Sequence, residues 1–138
     1  MLSLDPDAGH SLVTEPDHAP FEHLEIKDLF RIAEEPERIA WEPFRDGVAI
    51  HRLYGDGISG PTAALIRFQK ESSVPLHVHE GYEHILVLAG CQRDANGVLL
   101  PGTLRIHPPG TKHSATSEAG CIVLAIYEKP VRFITEAT

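Results

Sequence analysis

Apolar and polar positions change their texture along the chain. Residues 1–20 carry Pro6, Pro16 and Pro20 and no apolar periodicity, which predicts an irregular, flexible acidic tail, with folding from Phe21 onward. From Leu24 the apolar positions Ile26, Leu29, Phe30, Ile32 and Ile39 fit neither the helical nor the strand period cleanly. Pro36 interrupts any helix there, so the reading is a strand followed by a short helix. After Trp41 the apolar segments shorten to between three and nine residues, separated by Gly, Pro, Asn and Asp. That is the texture of an all-β domain.

The predicted strands are 47–54, 62–69, 74–79, 83–89, 98–100, 103–107, 112–117 and 121–128. Between them stand explicit turns: Gly55-Asp56-Gly57 with Gly60-Pro61, Asp94-Ala95-Asn96-Gly97, Pro101-Gly102, Pro108-Pro109-Gly110 and Ala119-Gly120. These residues supply the positive or fixed φ that tight turns need. Eight short strands linked in this way predict a sandwich or barrel, which hides its strand edges by pairing or closure. A chain of 138 residues is one domain's worth, here placed at 21–138.

Charge sharpens the picture once it is located. The formal net charge is −8 at pH 7, and residues 1–46 hold all of it, leaving the rest neutral. Without a basic stripe the chain lacks the electrostatic footprint of phosphate-backbone binding, so nucleic acid is excluded as an expected partner. The longest apolar runs, 85–90 and 122–127, fall far short of the roughly 20 residues of a membrane span. Residues 1–10 contain Asp5 and Asp7 and read as neither a secretory signal nor a transit peptide. A cytoplasmic location is the expectation. Cys91 and Cys121 lack the spacing of a thiolate metal site and read as packed free thiols, with one bridge left open.

The chemistry concentrates in Pro75-Leu76-His77-Val78-His79-Glu80-Gly81-Tyr82-Glu83. Alternation along a strand puts His77 and His79 on one face, one pleat apart, where they can share an ion. Gly81 permits a turn that returns Glu83 to the same space, and His113 follows a second break at Pro108-Pro109-Gly110. Three imidazoles and a carboxylate suit one divalent transition metal ion, Fe, Zn, Mn, Ni, Co or Cu, with coordination positions left open. His-x-His alone carries little weight, because two polar residues on a strand face are more often exposed or satisfied in the core.

Taken together, these spacings resemble the two motifs of the cupin superfamily. His77, His79, Glu83 and Gly90 match the first, and Gly102, Pro108, Gly110 and His113 match the second. Two departures are visible: Ser117 stands where the second motif ends in Asn, and Ser72 or Ser73 stands for the Gly that precedes the first histidine. The resemblance covers 41–128 and implies a double-stranded β-helix, a cupin jelly-roll barrel, with His77, His79, Glu83 and His113 as metal ligands. Within the superfamily the chain is similar to small RmlC-like cupins and to the cupin domain of zinc-dependent anti-sigma factors of the ChrR type. Those regulators carry an N-terminal module with its own His and Cys ligands. The first 40 residues here hold no Cys, so sigma-factor inhibition is not carried over.

Neighbouring residues read as follows. His84 has the opposite parity to Glu83 and should point away from the ion. His107 could line the pocket, but beside two prolines a capped or exposed histidine is the expectation. Arg67, Gln69, Tyr82, Arg105 and Tyr127 are polar candidates whose facing the sequence leaves open, and Trp41 with Phe44 reads as a core or interface anchor. Function follows as a metal-dependent enzyme on a small organic molecule, with a dioxygenase slightly favoured. Its alternatives are a non-catalytic sensor and a metal-free structural barrel. No catalytic base can be chosen between Glu83 and Tyr82. A positive centre, with Arg67 or Arg105 facing inward, would favour a carboxylate-bearing substrate. The apolar content of 21–41 predicts a homodimer in which that segment crosses the partner.

Overall fold

The computed structural model describes residues 23–134; the acidic stretch 1–20 lies outside them. A short helix α1 (Leu29–Glu34) and a 3-10 turn (Pro36–Arg38) precede eleven strands. One sheet contains β1 (Glu42–Arg45), β2 (Val48–Tyr54), β3 (Thr62–Phe68), β10 (Cys121–Tyr127), β5 (Glu83–Gly90) and β8 (Leu104–His107), in that order. The other runs β11 (Arg132–Phe133), β4 (Ser72–Val78), β9 (Lys112–Ser117), β6 (Gln92–Asp94) and β7 (Gly97–Leu99). All the pairings are antiparallel. No helix among the described residues is long and apolar enough to cross a membrane.

Two apolar clusters explain why the central strands are apolar on both faces. Val48, Phe68, Ile85, Val87, Val123 and Leu99 meet between the sheets. On the outer face of the larger sheet, Leu53, Leu65, Leu88 and Ile122 pack against Ile32 and Ile39 of the leading segment. A strand covered on both sides loses the alternation of a half-exposed one, which accounts for the continuous runs in β5 and β10.

Sequence and structure differ in the leading segment. The expected strand before the helix is a single bridged residue, Ile26. Helix α1 has six residues and no side-chain cap, too short to persist alone. It is held because Ile32 is fully buried and because Trp41 Nε1 donates to the Pro36 carbonyl at 2.8 Å. Burying each of Ile32 and Ile39 is worth about 1.5–3 kcal/mol. Ile32 and Ile39 of this segment are thus used on the chain's own barrel, while Phe30 and Leu24 stay 61% and 40% exposed. Strands β1, β6 and β11 were not expected; at four residues or fewer, none carries a readable period.

Candidate metal centre

Register brings the four predicted ligands together. His77 on β4 pairs directly with His113 on β9. Glu83 opens β5 on the opposite sheet, paired with His107 on β8. His79 lies just past β4, where its N–H donates to the Thr111 carbonyl at 2.9 Å and its own carbonyl accepts from Gly110 N–H at 2.8 Å. Those two bonds tie the first histidine motif to the Pro108-Pro109-Gly110 turn, which Gly110 completes at φ +90°, a conformation that glycine adopts freely. Ligand atoms of His77, His79, Glu83 and His113 all lie within 4.8 Å of one another, and all four residues are buried. The cluster could hold a metal ion.

Tautomers point the same way. His77 Nδ1 lies 2.8 Å from the Pro75 carbonyl. His79 Nδ1 lies 3.1 Å from the Thr111 carbonyl and 2.9 Å from its hydroxyl, and His113 Nδ1 lies 3.0 Å from Asp94 Oδ2. A nitrogen facing a carbonyl or carboxylate oxygen carries the proton, so each ring keeps its Nε2 lone pair free. His79 Nε2 is fully buried without a hydrogen-bond partner, 3.1 Å from Glu83 Oε1. A buried, unpartnered acceptor is costly unless something binds it, and a cation between imidazole and carboxylate fits this one.

Behind the cluster stand groups that tune it. Arg105 Nη1 donates to the same Asp94 oxygen at 3.0 Å. Burial alone would raise the Asp94 carboxyl, but the hydrogen bonds from His113 and the Asn96 backbone, with the Arg105 charge, hold it below its ordinary value. His107 stacks on His79, ring centroids 4.3 Å apart, and lies 4.3 Å from His113. Burial, then the His113 and His79 charges, push it down to about 4. His77 is lowered as well, chiefly by burial. Both shifts favour the neutral ring, the state in which His77 can serve as a ligand. Asp94, His107 and His113 also bring ligand atoms within 4.8 Å of one another. A cation there would have to displace the Arg105 guanidinium.

In front of the cluster a cavity of about 200 Å³ runs between the sheets. Its lining includes His77, Glu83 and His113 together with the apolar Ile66, Phe68, Val74, Val123, Phe44 and Phe133. Gln92 and Tyr127 add polar groups. Tyr127 neighbours Glu83 in the ladder, and burial raises its phenol above the ordinary value.

Residues 30–131 match the family model described as ChrR Cupin-like domain. The chain belongs to this cupin family. It is 34% identical over 101 residues to the anti-sigma-E factor ChrR of Cereibacter sphaeroides, a match covering 70% of this chain and 46% of that protein. The chain thus spans about half the length of this curated relative. Among solved structures it is similar to Rhodobacter sphaeroides SigE in complex with the anti-sigma ChrR, with 29% identity and TM-score 0.60, covering 67% of this chain and 51% of that one. An acetylacetone dioxygenase from Acinetobacter johnsonii shares the fold at 16% identity, with TM-score 0.66 over 89% of this chain and 84% of that one.

Several residues of this cupin sit elsewhere than the sequence led one to expect. His107 is 6% exposed and packs inside the cluster, because it pairs with Glu83 rather than capping the proline turn. Asp94, read as a turn residue, does both jobs: Oδ1 accepts from Asn96 N–H in the turn while Oδ2 meets His113 and Arg105. An Asp opening a turn gave no sign of the second role. Arg105 faces inward but is neutralised by Asp94, and Arg67 reaches Glu37 at 3.5 Å on the outer face. Neither is free for a carboxylate. Tyr82 is exposed, and His84 alternates outward from Glu83 as expected. Glu71, at φ +60°, takes the left-handed turn before β4 assigned to Ser72 or Ser73. Both cysteines are free, Cys121 buried and pushed up to about 11 by burial.

Proposed function

We propose that this cupin binds one divalent transition metal ion through His77, His79, Glu83 and His113, and acts as an enzyme on a small organic molecule held in the adjoining cavity. The observation that supports it most is the convergence of three imidazoles, each with Nδ1 engaged elsewhere, on a buried carboxylate. Iron, zinc, manganese, nickel, cobalt and copper all suit that donor set. A bound ion supplies Lewis acidity to a substrate oxygen. The chain's own residues do the rest: Pro75, Thr111 and Asp94 hold the ring tautomers, the apolar walls exclude water, and Tyr127 and Gln92 offer hydrogen bonds to what lies in the cavity. A dioxygenase-type oxidation is the reaction we favour, supported by fold likeness to an acetylacetone dioxygenase.

A sensor that binds without turnover is the second reading, favoured by membership in a family described by an anti-sigma factor. Sigma-factor binding itself is not proposed.

Elemental analysis tests the first step. Chelator should strip one equivalent of metal per chain, and His79→Ala should weaken binding by at least about tenfold; only trace metal after reconstitution with iron, zinc or nickel overturns it. The iron, manganese and nickel forms are then screened for oxygen consumption with β-diketones, catechols and carboxylates. Turnover supports the enzyme, whereas tight binding with no turnover in any form gives the site to the sensor.

A further inference from the structure

We infer that the ligand of this site is a small organic molecule with one oxygen-bearing head and an apolar body. The head sits at the histidine cluster and the body fills the cavity. This rests on reading the cluster as an ion site and adds the class of molecule it serves.

The wall decides the body. Ile66, Phe68, Val74, Val123, Phe44 and Phe133 offer nothing to hydrogen-bond. Polar groups along the ligand would lose water there without recovering a partner. Gln92 and Tyr127 can meet one or two polar atoms, not a sugar's worth.

Charge decides the head. A divalent ion beside the Glu83 carboxylate leaves a net charge of about one positive unit, which matches one anionic or enolisable oxygen function. A second anionic group would need a second cation. Arg105 is bonded to Asp94 at 3.0 Å, and Arg67 lies outside the barrel over the Trp41 ring, 6.0 Å from its centroid. Arg45 sits over the Phe133 ring, Cζ 4.3 Å from its centroid, and Arg52 reaches Glu42 at 3.7 Å; no lysine or arginine is among the residues lining the cavity, so a dianion meets no second cation inside it.

Volume decides the size. An apolar cavity of about 150 Å³ takes up benzene. The space of about 200 Å³ here holds a ring, or a chain of about six carbons, with its head group.

The test uses the full chain reconstituted with zinc, its metal content measured first. Straight-chain carboxylates from acetate to octanoate are titrated calorimetrically, with succinate and adipate alongside. Affinity should climb about fourfold per methylene as far as hexanoate, then stop climbing, and the dianions should bind no tighter than acetate. Val74→Phe fills the cavity and should abolish the chain-length gain while zinc stays at one equivalent; Ile66→Phe replaces it if that variant does not fold. Zinc-loaded protein with a flat series, or a preference for adipate, overturns the inference and leaves the ion site standing. Failure to retain zinc overturns the ion reading instead. In that event metal-free protein is titrated with 1-hexanol and 1,6-hexanediol: preference for hexanol upholds the apolar body, and no preference overturns it.

Discussion

Asp94 concentrates the site's chemistry into one residue that is not among those lining the cavity before the cluster. One oxygen of its carboxylate accepts hydrogen bonds from His113 Nδ1–H and the Arg105 guanidinium. The ring is thereby fixed in one tautomer with its second nitrogen aimed at the cluster, and its basicity is raised. Asp94→Asn keeps the shape but removes the charge. It should weaken zinc binding by about tenfold to a hundredfold, measured by competition with a chromogenic chelator, while leaving the fold's circular dichroism unchanged. Unaltered zinc affinity would reduce the Asp94–His113 contact to a packing detail. His77, His79, Glu83 and His113, which the resemblance to the two cupin motifs singles out, come together in the fold, with strand parity accounting for the His77 and His79 pair. Asp94 and His107 were lost because their contacts are made across β6, β8 and β9, elements whose mutual position no spacing encodes.

Among elements, β4, β8 and β9 crowd four histidines into one end of the barrel, and that has a cost in acid. Burial, with the His113 and His79 charges beside it, pushes His107 from its ordinary 6.5 down to about 4, so between these values the unfolded state binds the proton that the folded state refuses. Stability is full above pH 6.5 and falls as pH drops toward 4, with His77 adding in the same direction. Metal-free protein should therefore unfold at lower urea concentration at pH 5 than at pH 7.5; equal midpoints would contradict the buried, neutral state of these rings. The leading helix is a separate unit. Ile32 is its one buried side chain, and Ile32→Ala should cost about 2–4 kcal/mol in denaturant unfolding, with metal content unchanged. A loss below about 1 kcal/mol would mean that α1 is not docked as described.

For the molecule as a whole, the outer face of the larger sheet is only half covered. The leading segment shields Leu65, Leu88 and Ile122, yet farther along the same face Leu104 and Ile106 are 56% and 48% exposed, beside Ile126. They project from β8, the edge of the sheet. An apolar edge strand is a template for pairing, and two copies related by a two-fold axis would bury the patch on both. We propose a homodimer through this β8 patch, which Ile106→Lys should convert to a monomer by light scattering. A monomeric parent protein at micromolar concentration would rule it out.

What the sequence determined by itself was the all-β class, the positions of eight strands to within one or two residues, and the four residues of the candidate centre. The class and the strands follow from short-range rules of alternation and turn chemistry, and the four residues from the resemblance to the two cupin motifs. Tertiary structure alone decided which surface the leading segment covers, that Arg67 and Arg105 are already paired, and that the space before the cluster is apolar. These depend on which of two strand faces looks inward and on what stands opposite. Parity along one strand leaves that choice open until a second sheet closes over it.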